Sequence, residues 1–386
     1  AVWAHLGWLI PITVSFAAVV LVVAARSRTL LCDSPLKIYW PLAGLCTALL
    51  TTLYSLLPAQ THFLGDGYQI LSQAASGQTQ VKLTAWGEGM LRATPARAFG
   101  VGDSDAALTL YRTIAASCGC IFLLGAAFTA SRLYASSVRA LLLFAGLATG
   151  GWTLLYFGYV EHYALFVTAV GLYCFAGLLA LHGHLSRWWA VALLLLATIL
   201  HIFGTVLLFP TLYLLLADRR PIRNLANLRP RTAVVLVVLT LLGVIAVAAL
   251  LRQQHEFLLY SLLPVFADPF SYDGYSVIDL RHLTDLVNLL LLLVPALPLA
   301  VALVVLPRPA GPSPGKTYVF LALCSLSAFA TALVLDPKLG MPRDWDLFSF
   351  TSIPLTLLLF LSLLRGADST RAVLAVGAVA LAAIAL

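Results

Sequence analysis

The chain has 386 residues, 61% of them hydrophobic and only 10% charged, with a mean hydropathy of +0.97 and a net charge of +7. That balance excludes a soluble globular domain. Apolar runs of about 20 residues, the length that crosses a bilayer, recur along the whole chain. The fold class is an all-α polytopic membrane protein.

Apolar runs broken by charge clusters predict about 12 transmembrane helices. They lie near 4–25, 38–57, 108–131, 140–157, 163–181, 187–201, 204–217, 232–251, 285–306, 317–335, 348–364 and 371–386. The basic residues follow the first run instead of preceding it, so 4–25 reads as a retained span and not as a signal peptide. The six cysteines (Cys32, Cys46, Cys118, Cys120, Cys174 and Cys324) fall almost wholly in apolar runs, as small buried thiols do.

With the loop after the first span placed inside, 15 of the 23 Lys and Arg residues lie on the cytoplasmic side. All the acids except Asp33, Asp218 and Asp368 lie outside. The Lys/Arg bias sets the orientation. The acidic excess is no part of that rule and points to chemistry or cation handling on the outer face. A positive charge facing anionic lipid gives no support for nucleic-acid binding.

The outer loops are 58–108, 252–284 and 336–347, with a short turn near 159–163. In the first, Gly65 and Gly67 flank Asp66, which lets the backbone turn tightly and present the carboxylate. Tyr68, Ile70 and Leu71 then alternate with Gln69, Ser72 and Gln73, the pattern of a short helix lying on the membrane surface. A plain helix-capping role for Asp66 is the competing reading. Glu161, at the top of two adjoining spans, is costly so near the bilayer without a partner or a task.

The stretch from Arg187 to Arg219 carries cytoplasmic charge at both ends, so the chain reverses between them. Each half has about 14 residues, roughly 21 Å of helix against a core of roughly 30 Å. The reversal at His201–Gly204 is therefore expected below the outer surface, where irregular backbone is tolerated beside a water-filled cavity or within protein.

Loop 252–284 brings His255, Glu256, Asp268, Asp273, Asp279, Arg281, His282 and Asp285 among aromatic residues, which suits a segment resting on the membrane or covering a cavity. Loop 336–347 gathers Asp336, Lys338, Arg343, Asp344, Trp345 and Asp346. Arg343 offers a bidentate fork suited to phosphate, and Lys338 a point charge. Asp344 and Asp346 have the chemistry either to hold a divalent cation or to orient Arg343, and their spacing leaves the metal open.

Taken together, span 38–57 leading to Gly65-Asp66-Gly67, the small-residue turn from Gly102 to Arg112, and His201–Gly204 running on to Pro210 resemble the GT-C superfamily of membrane glycosyltransferases. That superfamily includes the protein O-mannosyltransferases and the lipid A aminoarabinose transferases. The likeness covers roughly residues 38–251, as a catalytic transmembrane module with amphipathic helices in its first large outer loop. Residues 1–37 would be an extra N-terminal span and cytoplasmic loop, and 252–386 a variable C-terminal transmembrane region. One departure is that Asp66 is not followed by a second acid, which counts against a family-style metal or paired-acid role and leaves a divalent cation as a possible cofactor.

The resemblance implies transfer of a sugar from a polyprenyl-phosphate donor to a lipid, glycan or protein acceptor, on the extracytoplasmic face of a bacterial or archaeal plasma membrane. Asp66 would be the general base of an inverting attack, with Glu161 beside it. Arg343 and Lys338, then His201 and Arg112, would stabilise the leaving phosphate. Membrane lipids would be the other partners. The competing class is a cation- or proton-coupled transporter, which would also use intramembrane carboxylates and broken helices.

Overall fold

The computed structural model describes residues 36, 38–60, 66–76, 81–218, 237–246, 248, 256–266, 275–299, 315–338, 340–341, 343–365 and 377. The expected span 4–25, all of 371–386 but residue 377, His255, Asp268, Asp273 and most of the 218–231 loop lie outside the described residues. Among those described, helices dominate and no strand occurs; one antiparallel bridge joins Leu262 to Leu335.

In chain order the helices are α1 (Tyr39–Leu56), α2 (Gly67–Ala75), α3 (Trp86–Ala98), α4 (Ser104–Leu133), α5 (Ser137–Ala148), α6 (Ala164–Leu181), α7 (Arg187–Leu200) and α8 (Leu208–Leu216). Then come α9 (Val237–Ala246), α10 (Glu256–Ser261), α11 (Leu280–Leu293), α12 (Gly315–Val334) and α13 (Ser352–Leu363). Three of them, α4, α6 and α12, are long and apolar enough to cross a membrane, or four spans if α5 and the 3₁₀ segment Gly151–Phe157 count as one.

Helix α6 is the axis of the bundle. Its sequence is apolar all round, with no charged residue and no polar face, so it is satisfied only when neighbours surround it. Fifteen of its 18 residues are buried accordingly. Phe122 of α4 anchors the packing beside it, its ring 5.4 Å from Phe175, 5.8 Å from Tyr156 and 5.9 Å from Trp152. Helix α1 is tied to the same core by Tyr39, whose hydroxyl donates to the Ala127 carbonyl at 2.6 Å.

Two helices start earlier than hydropathy suggests, and for the same reason. Asp103 accepts from Ala106 N–H at 2.7 Å and Asp279 from Arg281 N–H at 2.9 Å. An aspartate cap starts the turn before the apolar residues begin. As a result His282 and Asp285, expected in a loop, stand within α11. The run 140–157, expected as one span, is bent by 66° between α5 and Gly151–Phe157.

The stretch 187–217 reverses. Helix α7 stops at Leu200, His201 is extended (φ −151°, ψ 138°), and Ile202–Leu207 forms a 3₁₀ turn into α8. Gly204 sits on the α7 backbone so closely that a Cβ there would be 2.3 Å from Thr198 N. At the far end the two arms meet again: Arg187 binds Asp218 and also donates to the Leu215 carbonyl at 3.3 Å. Lys316 of α12 reaches the same Asp218 at 2.5 Å. The arms therefore form a hairpin with its tip at His201–Gly204.

Candidate functional site at the hairpin tip

The site lies where α2, the start of α3, the Tyr159–Tyr163 turn, the hairpin tip and loop 336–348 converge. Asp66 occupies the N-cap position of α2, yet its carboxylate caps nothing. It turns instead to Lys82, whose Nζ lies 3.1 Å from Oδ2, with both side chains about half exposed. The capping reading of Asp66 is thus set aside by its own geometry, and the carboxylate is available to solvent.

Glu161 is 5% exposed. Burial, then the neighbouring Asp66 charge, push its carboxyl up to about 7, while the Asp66 main-chain N–H, Arg92 and Lys82 pull the other way. Its buried Oε1 has no hydrogen-bond partner. Next to it, burial followed by the Arg92 and Lys82 charges holds His162 down to about 3, so this ring is neutral. The two acids thus differ in kind: Asp66 is an exposed, ion-paired carboxylate, and Glu161 a buried carboxyl poised to exchange a proton near neutrality.

His201 closes the floor. Its Nδ1 accepts from Phe203 N–H at 3.2 Å, which leaves the proton on Nε2 and makes that nitrogen a donor. The ring packs against Phe203 at 4.6 Å, Phe166 at 5.1 Å and Tyr163 at 5.7 Å. Lys82 lies within electrostatic reach of Glu161, His162 and His201 alike.

Loop 336–348 meets the turn through Trp345, 5.5 Å from the Tyr159 ring. Asp346 is 3% exposed, with Oδ1 accepting from Leu347 N–H at 2.9 Å. Burial, then Glu161 and Asp344, push its carboxyl well above the usual carboxylate range. The start of this loop is fixed by α10 and the residues after it: Leu263 N–H donates to the Val334 carbonyl at 2.8 Å and Asp336 N–H to the Ser261 carbonyl at 3.0 Å.

Asp66, Glu161, His201, Asp344 and Asp346 are therefore brought into one neighbourhood. The cations fare differently. Lys338 is held by the buried Asp336 carboxylate at 2.6 Å. Arg343 is exposed. Arg112 donates to the Ala59 carbonyl at 3.1 Å and its stem lies against Gly158, so it fastens together the two segments that precede Asp66 and Glu161. The cation that pairs with Asp66 is Lys82, which sequence reasoning passed over. Among the described residues, no three His, Cys, Asp or Glu side chains cluster in a way that could hold a metal ion.

Sequence reasoning also passed over Glu88 and Arg92. They form a buried pair at 3.1 Å on α3, 0% and 3% exposed. Their one signal is the i,i+4 spacing on the face that also carries Gly87, Gly89, Ala93 and Ala96. Small residues mark that face as inward, where a charged pair is out of place unless it has partners. Compared with protein-family models, with curated proteins and with solved structures, the chain matches none.

Proposed function

We propose that this chain is a membrane glycosyltransferase with a GT-C-like core, transferring a sugar from a polyprenyl phosphate to an acceptor on the extracytoplasmic face. The topology of about 12 spans, with its basic loops inside, belongs to the same reading. The observation that carries it is the placement of Asp66: freed from capping its helix, it stands ion-paired to Lys82 beside the buried Glu161.

In this reading the Asp66 carboxylate accepts the acceptor hydroxyl proton as that oxygen bonds to the anomeric carbon. The bond from that carbon to the phosphate oxygen breaks on the opposite face, and the configuration inverts. The electron pair leaves on the lipid phosphate, and Lys82 and the Nε2–H of His201 have the right sign to stabilise it. Lys82 thus takes the role expected of Arg343 and Lys338. The apolar walls of the bundle suit a polyprenyl tail.

The test is release of polyprenyl phosphate from a panel of polyprenyl-phosphate sugars by the full chain in nanodiscs. Turnover that survives Asp66→Asn would remove Asp66 from the mechanism. Proton-driven uptake by proteoliposomes, with no transfer from any donor, would favour the transporter reading instead.

A further inference from the structure

We propose that Glu88 is a positioning residue: its carboxylate closes the amino end of helix α6 and so fixes the turn that presents Glu161 and His162 to the site. The inference rests on the reading of that turn as reactive.

A helix leaves its first amides without intrahelical partners. At the start of α6, Tyr163 stands at the N-cap position and its side chain makes no cap. The missing acceptor comes from 78 residues upstream. Glu88 Oε1 accepts from Phe166 N–H at 2.7 Å, and the Leu165 amide also bonds to this carboxyl. A carboxylate there also meets the positive end of the helix dipole.

Three further contacts lock Glu88 in place. Arg92 lies 3.1 Å from Oε2, and its guanidinium stacks 4.5 Å above the Tyr111 ring of α4. On the other side, Gly87 lies flush against the hairpin tip, where a Cβ would be 2.6 Å from the Ile199 carbonyl oxygen. Helix α3 is thereby wedged between the start of α6 and the segment that carries His201. Burying two charges is costly compared with an apolar pair of the same size, so a pair kept there is explained by what it orients. The field of Arg92 also reaches the turn, favouring the ionised form of Glu161 and the neutral form of His162.

The full chain in nanodiscs is compared as wild type, Glu88→Gln/Arg92→Met, Glu88→Ala/Arg92→Met and Arg92→Lys. Each double variant removes both charges at once, so no unpaired buried ion is left to unfold the protein. Two readouts are used: hydrogen–deuterium exchange over residues 158–168, and infrared titration of the Glu161 carboxyl, assigned by its loss in Glu161→Gln.

The Gln variant keeps an acceptor and is expected to retain slow exchange. The Ala variant releases the Leu165 and Phe166 amides, whose exchange rises about tenfold, the factor for one lost hydrogen bond. Loss of the Arg92 charge moves the Glu161 midpoint to higher pH, and Arg92→Lys holds it at the wild-type position. Wild-type exchange in the Ala variant overturns the inference whatever the midpoint does. Neither readout uses sugar transfer, so an inactive wild-type protein would sink the transferase reading and leave this one standing.

Discussion

The two ends of the α7–α8 hairpin handle charge in opposite ways. At the open end, Asp218 is shared by Arg187 and Lys316, all of them partly exposed, and the cations on either side hold its carboxyl below the usual range. At the tip, Glu88, Glu161 and Asp346 are buried, and burial drives each of them up. Water screens the first set and leaves it ordinary. Its absence around the second makes protonation there a question of structure. The lesson is that the number of charges at each end says little, and that desolvation decides at which end a carboxyl holds its proton towards neutral pH.

Neutralising one acid at each end tests the contrast most sharply. Asp66→Asn is expected to lower sugar-transfer turnover by about 10²–10⁴, the usual loss on removing a general base. Asp218→Asn is expected to leave turnover unchanged in the same assay. Equal losses would erase the distinction between the ends.

Stability should separate them next. Glu88→Ala strands Arg92 in the core and should cost on the order of 3–5 kcal/mol in thermal unfolding of the detergent-solubilised chain. A cost near zero would mean that the pair opens to water.

The pH dependence follows in size. Burial holds folded Glu161 at about 7 and pushes folded Glu88 up as well, against an ordinary value of 4.5 for a glutamate. Between those values the folded chain keeps protons that the unfolded chain has lost, so stability falls as pH rises through this window. Glu161 accounts for a decline on the order of 3 kcal/mol, which Glu161→Gln should remove, and Glu88 adds to it in the same direction. Asp218 has the opposite sign: its contribution is present above its unfolded pKa and lost as pH falls through the lowered folded one. A melting temperature that rises from pH 4.5 to 7 would contradict the burial of the tip acids.

The smallest effect is expected at the open end. Arg187→Ala or Lys316→Ala should change stability by less than about 1 kcal/mol, and by less again at high salt.

How much of this was legible beforehand depends on which force wrote each feature. The hairpin was legible because hydrophobic length and flanking charge define it, as Arg187 and Asp218 illustrate, and so were the long apolar helices α4, α6 and α12. Helix starts were misplaced wherever an aspartate cap began the turn early, at Asp103 and Asp279. Glu161 and His201 stood out because each is a polar residue in a poor place for one, and Asp66 because Gly65 and Gly67 flank it. Glu88, Arg92 and Lys82 did not, since in a polar loop a charged residue looks solvated until the fold shows what covers it. Arg343 and Lys338 carry phosphate-binding chemistry, but Asp336, an acid two residues from Lys338, already holds that lysine. Local sequence shows what a side chain can bind, and tertiary packing decides what it meets first.

The close seat of Gly204 on the α7 backbone bears on how the protein is made. Neither arm of the hairpin reaches across a bilayer alone, so neither is a good stop signal for the insertion machinery. The two arms are therefore expected to leave the translocon together, after the α6 that precedes them in the chain. Gly204→Leu, which forbids the doubled-back seat, should then show itself in a glycosylation-site insertion assay as a misplaced α8, before any loss of the finished protein is seen.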